Sequence, residues 1–221
     1  SPKDEKDIVS RQPQIMAVMT GAISGLSPLR KRIERALCPD DLAERGGPCP
    51  MLDRLRETPV ILRAGFVEAA SGKFQYAQIN DIARAELSPD TKRRCIAGAA
   101  LASVAMPVFF QQVSVAGRTY YDGGVRQSVF AAQAQATVEA AMQRRAGTLQ
   151  HHAPDTPLIV LRNGPTDTDA DPNADETRNA IKAALRAEAI IVNQVEVGSV
   201  AALRLDKPTG LIGFASADGW R

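Results

Sequence analysis

The spacing of apolar positions changes several times along the chain, and each change predicts an element. In 7-DIVSRQPQIMAVMTG-21, Ile8, Ile15, Met16 and Met19 share one face of a helix that Gly21 can end. Ser27 reads as the N-cap of a second helix with Pro28 at its first position. Leu29, Ile33 and Leu37, four residues apart, line its apolar face, and basic residues take the other. The run 59-PVILRAGFVEAA-70 is rich in β-formers, 71-SGK-73 turns the chain, and 74-FQYAQI-79 returns, which predicts a hairpin. Residues 80–90 read as a connection.

The segment 91-TKRRCIAGAALASVAM-106 predicts a helix closed by Pro107. Small residues at Ala97, Ala100, Ala102 and Ser103 let it lie very close to its neighbours. Next, 108-VFFQQVSVAGRTYYDGG-124 reads as two short extended pieces around Ala116-Gly117-Arg118. A helix is expected over 128–146. The continuous apolar run 157-PLIVLRN-163 predicts a buried parallel strand. An amphipathic segment over 178–205, interrupted at Gly198, precedes a final strand within 210–217. Helices alternating with buried strands predict a layered α/β fold. No linker divides it, so a single domain over 1–221 is expected, of a size that buries a real core.

Charge narrows the function. The 27 basic and 25 acidic residues leave a net charge of +2, with no basic run, so no nucleic-acid partner is expected. No stretch approaches the run of about 18 apolar residues that a membrane span needs. Three cysteines without a Cys-x-x-Cys, and only His151 and His152, predict no zinc site. The acidic loop 164–177 lacks calcium-loop spacing, so no metal and no cofactor is expected. His151 and His152 lie in a polar loop and read as a solvated pair. Cys38 and Cys49 bracket a Gly/Pro loop. They are either a disulfide, in an oxidising compartment, or two unrelated thiols.

The chemistry centres on 119-TYYDGGV-125. Asp122 ends an apolar run and precedes two glycines, which permit a tight backbone. Asp-Gly is also common in plain turns. Open α/β sheets put their sites in loops leaving strand ends, where a carboxylate can orient or deprotonate a nucleophile. The context favours the second reading. Residues 100–125 resemble the patatin-like phospholipases, in which a small-residue helix "A-S-x-A-x-P" leads through a Phe-containing strand to "G-x-x-Y-x-D-G-G". The matching residues are Ala102, Ser103, Ala105, Pro107, Phe109, Gly117, Tyr121, Asp122, Gly123 and Gly124. One departure is local: relatives often have Phe followed by two prolines, and this chain has Phe110-Gln111-Gln112. Asp7-Ile8-Val9, 20-TGAISGLSPLRKRIER-35 and 161-LRNG-164 are also similar to segments of bacterial members.

The resemblance implies a three-layer α/β/α sheet and a serine–aspartate dyad that hydrolyses lipid acyl esters through an acyl-enzyme. Asp122 would be the catalytic aspartate, with Gly123 and Gly124 shaping its loop. It further implies a G-x-S-x-G elbow and a glycine-rich oxyanion loop. Neither occurs here. Ser27 lacks the second glycine, Ser24 has the wrong spacing, and Ser103 reads as a packing residue. The nucleophile is therefore expected outside this chain, upstream of its first strands. A sheet lacking its N-terminal strands would expose edges and apolar faces and should fold poorly alone. Three arrangements resolve this: an upstream part on another chain, an upstream part in the native gene, or a divergent non-catalytic variant with a replacement architecture. The implied partner is a lipid or acyl-ester substrate, with association at a membrane surface. The sequence does not give the compartment, and a Cys38–Cys49 disulfide would favour an envelope or secreted location over a cytoplasmic one. The alternatives are a lipid- or protein-binding module and an acyltransferase.

Overall fold

A computed structural model describes residues 9–11, 22–127, 158–162, 180–206 and 209–213. The chain divides into two compact units, Ser1–Arg126 and Gln127–Arg221. In the first, β1 (Ser10–Arg11) runs antiparallel to β2 (Ala22–Gly25). Three helices follow: α1 (Ser27–Leu37), α2 (Asp40–Arg45) and α3 (Pro50–Glu57). The hairpin β3 (Arg63–Glu68) and β4 (Phe74–Gln78) leads into α4 (Ile79–Arg84) and the longer α5 (Pro89–Ala102). Strands β5 (Val108–Phe110), β6 (Val113–Val115) and β7 (Arg118–Asp122) complete the unit.

These strands form two sheets. β5 lies parallel to β2, giving the order β1-β2-β5. The second sheet is antiparallel, β4-β3-β7-β6. The other unit pairs β8 (Leu158–Arg162) in parallel with β9 (Thr209–Gly213), joined through α6 (Ala180–Asp206). Mixed helices and sheets with parallel and antiparallel pairing make the chain an α/β protein, as the alternation of elements predicts.

Helix α5 is the centre of the first unit. Ser88 caps it, its Oγ accepting from the Thr91 N–H at 3.2 Å. Ala97, Ala102 and Ala105 are almost wholly buried. A Cβ added at Gly98 would lie 3.1 Å from Val115 Cγ2. The small residues thus do what the sequence predicts: they bring the helix close to the sheet. Its first turns are tied to the end of α1 and the start of α2. The buried Arg93 guanidinium donates to Asp40, Asp90 and the Cys38 carbonyl. Cys38 and Cys49 are joined in a disulfide with Cα atoms 4.9 Å apart, both buried in the cluster of Leu37, Ala43, Leu52, Ile79 and Ile96.

Several sequence expectations need correction. Residues 10 and 11, assigned to a helix over 7–21, pair as a strand with Gly25 and Ser24. Pro13 within that span disfavours helix at and before it. The rest of that span lies largely outside the described residues, as do 128–146, 164–177, His151 and His152. Ser27 is the first helical residue of α1, and Leu26 holds the cap position without a side-chain bond. Residues 59–62 precede β3 rather than belonging to it, and 80–90 hold most of α4 and the first two residues of α5. The α4 signal is too short to show periodicity, since it spans under two turns. Helix α6 continues through Gly198, because one glycine costs a helix only about 1 kcal/mol.

Closing a loop of this length (sequence separation 11) stabilises by about 3 kcal/mol through the unfolded state. Urea melts of the chain with and without reductant should differ by about that amount. Coincident melts would show that the bond carries none of the stability.

Candidate functional site

The hairpin β6–β7 sets the geometry of the site. Its two-residue turn, Ala116 at φ 50° and Gly117 at φ 76°, has positive φ at both central positions. That is the type I′ pattern, whose twist matches the flanking strands. It pins Val115 opposite Arg118 and Val113 opposite Tyr120. β7 also pairs with β3, placing Phe66 directly opposite Asp122 and Glu68 opposite Tyr120. Cross-strand partners share a face, and so do residues two apart. Phe66, Tyr120 and Asp122 therefore point to the same side of the sheet. The two rings meet edge to face with centroids 5.0 Å apart.

Asp122 is held at three points. Its N–H donates to the Ala105 carbonyl at 3.0 Å, which ties the end of β7 to the segment leaving α5. Its Oδ1 accepts from the Gly124 N–H at 2.7 Å, which starts the 3₁₀ turn Gly123–Val125. Gly123 lies against the backbone of β3: a Cβ there would sit 2.7 Å from the Gly65 carbonyl oxygen and 3.1 Å from Phe74. Only glycine fits. The Asp-Gly-Gly sequence is thus a close-packed strand end with a fixed carboxylate, and not a loose surface turn.

The carboxylate is half-buried, and burial raises its pKa above the ordinary 3.8, with the Gly124 N–H pulling the other way. A carboxylate with a raised pKa and one remaining oxygen is suited to accept a proton from a hydroxyl. Among the described residues no serine hydroxyl reaches it. Ser103 Oγ donates to the Ala100 carbonyl at 2.8 Å, one turn back on its own helix. Ser27 is exposed at the start of α1. Ser24 lies in β2, and its carbonyl accepts from the Gln111 N–H at 3.2 Å. That last bond explains the Gln111 departure, because a proline there would have no N–H to give. Val108, a β-branched residue at φ 70°, is a strained position just before it. Ala105, Phe66 and Gly65 also shape the site, and sequence reasoning missed their parts in it. Each depends on strand register, which local sequence does not display.

The fold is α/β, and a fixed carboxylate ends a strand of its antiparallel sheet beside a tightly packed small-residue helix. A family model described as Patatin-like phospholipase matches residues 18–134, just over half of the chain. The chain belongs to the patatin-like phospholipase family, whose members act on lipid substrates. No curated protein matches it.

Two outcomes are expected. Gly123→Ala should destabilise the chain by about 1–3 kcal/mol, the usual range for forcing atoms into a filled site, measurable by urea denaturation. A change within experimental error would show that β3 moves aside freely. Asp122→Asn tests the charge. A carboxyl with a raised folded pKa contributes stability below 3.8 and loses it as pH rises through the folded value. Asn keeps an acceptor for Gly124 and carries no charge. The variant should therefore be the more stable at neutral pH, and the difference should vanish below pH 3.8. Equal stability at both pH values would contradict a destabilising buried charge.

Proposed function

We propose that this chain carries the aspartate half of a serine–aspartate lipid acyl hydrolase. Asp122 orients and deprotonates a serine supplied by a G-x-S-x-G elbow outside this sequence, and Gly123 and Gly124 hold its loop. The observation that carries the reading is the fixed, half-buried carboxylate, one oxygen of which no described residue bonds, within the span 18–134 that the family model covers. The serine hydroxyl would lose its proton to Asp122 as its oxygen adds to the ester carbonyl. Collapse would expel the alcohol, which takes that proton, and leave an acyl-enzyme. Water, deprotonated by Asp122, would then release the acid and restore the serine. An oxyanion loop, also outside this sequence, would hold the negative charge on the carbonyl oxygen.

The family match crosses the division between the two units, which supports one patatin-like domain over 1–221 completed by further strands. Association with a membrane surface has support of its own. Pro59, Val60, Ile61 and Leu62 are consecutive and exposed, Val60 at 59%. The loop is not loose: the buried Asn80 side chain accepts from the Leu62 N–H and donates to the Leu55 and Val60 carbonyls. A rigid apolar tip of this kind suits the headgroup boundary of a bilayer. A lipid- or protein-binding module is the second reading, favoured by the occupied hydroxyl of Ser103.

A serine-reactive fluorophosphonate should leave the purified 221-residue chain unlabelled. Stoichiometric labelling would place the nucleophile within it and overturn the proposal. The encoded sequence before Ser1 separates the two readings. An oxyanion loop and a G-x-S-x-G elbow there support the hydrolase, and a gene that begins at Ser1 supports the binding module.

A further inference from the structure

The first unit holds a cavity of about 400 Å³ that does not include Asp122. It lies between α5 and the antiparallel sheet, with Phe66, Ile82, Leu87, Cys95, Ala99 and Tyr120 among its lining residues. Its shape follows from α5. Cys95, Ala99 and Ala102 all line it, spaced as i, i+4 and i+7 on one helix face. Seven residues of helix span about 10 Å, and the cavity follows the helix over that length. Its two ends differ. Ala99 and Ala102 are buried at one, beside the Phe66 and Tyr120 rings. At the other, Asp81 in α4 and Leu87 in the connection to α5 are exposed. The cavity is thus open at the Asp81 end, and the half-buried Phe66 and Tyr120 rings border the other.

The walls decide the occupant. The lining offers Asp81, Cys95 and Tyr120 as its polar-capable side chains. Asp81 lies at the mouth, where it pairs with Arg84. A polar ligand would lose hydration along the shaft without regaining hydrogen bonds. A cavity of about 150 Å³ with such walls takes a six-carbon ring, so this volume suits roughly 16 carbons. We infer that the cavity is an accessory lipid site that takes one hydrocarbon chain of up to roughly 16 carbons. The polar end of that lipid stays at the mouth, beside Asp81 and Arg84. The cavity does not include Asp122, and its proposed use does not depend on the role given to that residue. It borders that position through Tyr120, two residues before Asp122 on β7 and facing the same side.

Cys95 reports occupancy directly, because the other two cysteines are joined. The test is the rate at which N-ethylmaleimide alkylates Cys95 in the native, non-reduced chain. Saturated fatty acids of about 8 to 20 carbons would be added below their micelle concentrations. At ten times Kd the rate should fall about tenfold. Protection should strengthen to roughly 16 carbons and weaken beyond. Ala85→Trp, at the half-buried mouth, should abolish it while unmodified Cys95 still reacts. Alkylation that no chain slows would overturn the inference. So would protection that rises without limit with length, which marks non-specific partition. Should the Trp variant fail to fold, the length limit in the unsubstituted chain decides. Binding is read without turnover, so loss of the accessory site and loss of the dyad proposal give different results.

Discussion

The close approach of α5 to the antiparallel sheet is the constraint on which the rest depends. Alanines and a glycine face the sheet where larger side chains would hold it away. Because the helix lies so near, the chain leaving it passes within hydrogen-bond reach of β7, and the Ala105 carbonyl takes the Asp122 N–H. On the far side of the same strand end, Gly123 meets the backbone of β3. Asp122 is thus clamped between two backbone contacts. Its position follows from packing, and its one side-chain hydrogen bond only orients the carboxylate. The anchor at the other end of the helix is Arg93, whose buried charge two aspartates and a carbonyl satisfy. A buried cation without such partners would cost several kcal/mol.

The same approach explains why burial works against Asp122 as an isolated group. Phe66 and Tyr120 lie beside it on the sheet face and offer no charge, so the ionised form loses hydration that one N–H only partly replaces. Sites commonly keep such destabilised groups because a reacting partner makes use of them. The exposed apolar tip at 60–62 and the apolar cavity beneath α5 belong to the same chemical theme, surfaces matched to hydrocarbon rather than to water.

Much of this was legible in the sequence, for definite reasons. The β3–β4 hairpin, the small-residue helix and the Ala116-Gly117 turn carry strong local signals, and the Asp-Gly-Gly match needed only short-range order. The Ser27 cap misled because proline favours the first helical turn as a whole and does not say which residue precedes it. The strand at residues 10 and 11 exists through its partner β2, and a two-residue strand has no pattern of its own. The pairing of Phe66 with Asp122 was hidden for the same cause: register is a property of two distant segments. Cysteine spacing left the disulfide open, and it is the three-dimensional closeness of Cys38 and Cys49 that closes it.

The central claim is that Asp122 is poised to activate a serine brought from outside this sequence. It is tested most directly by supplying one. A glycine-rich oxyanion loop, a strand and a G-x-S-x-G elbow would be placed ahead of this chain, and hydrolysis of a phospholipid ester measured with Asp122 and with Asn in its place. The account predicts turnover with the aspartate and a loss of about 10²–10⁴-fold with Asn, the usual worth of a positioned general base. Turnover that is the same with Asp and with Asn at position 122 would contradict it.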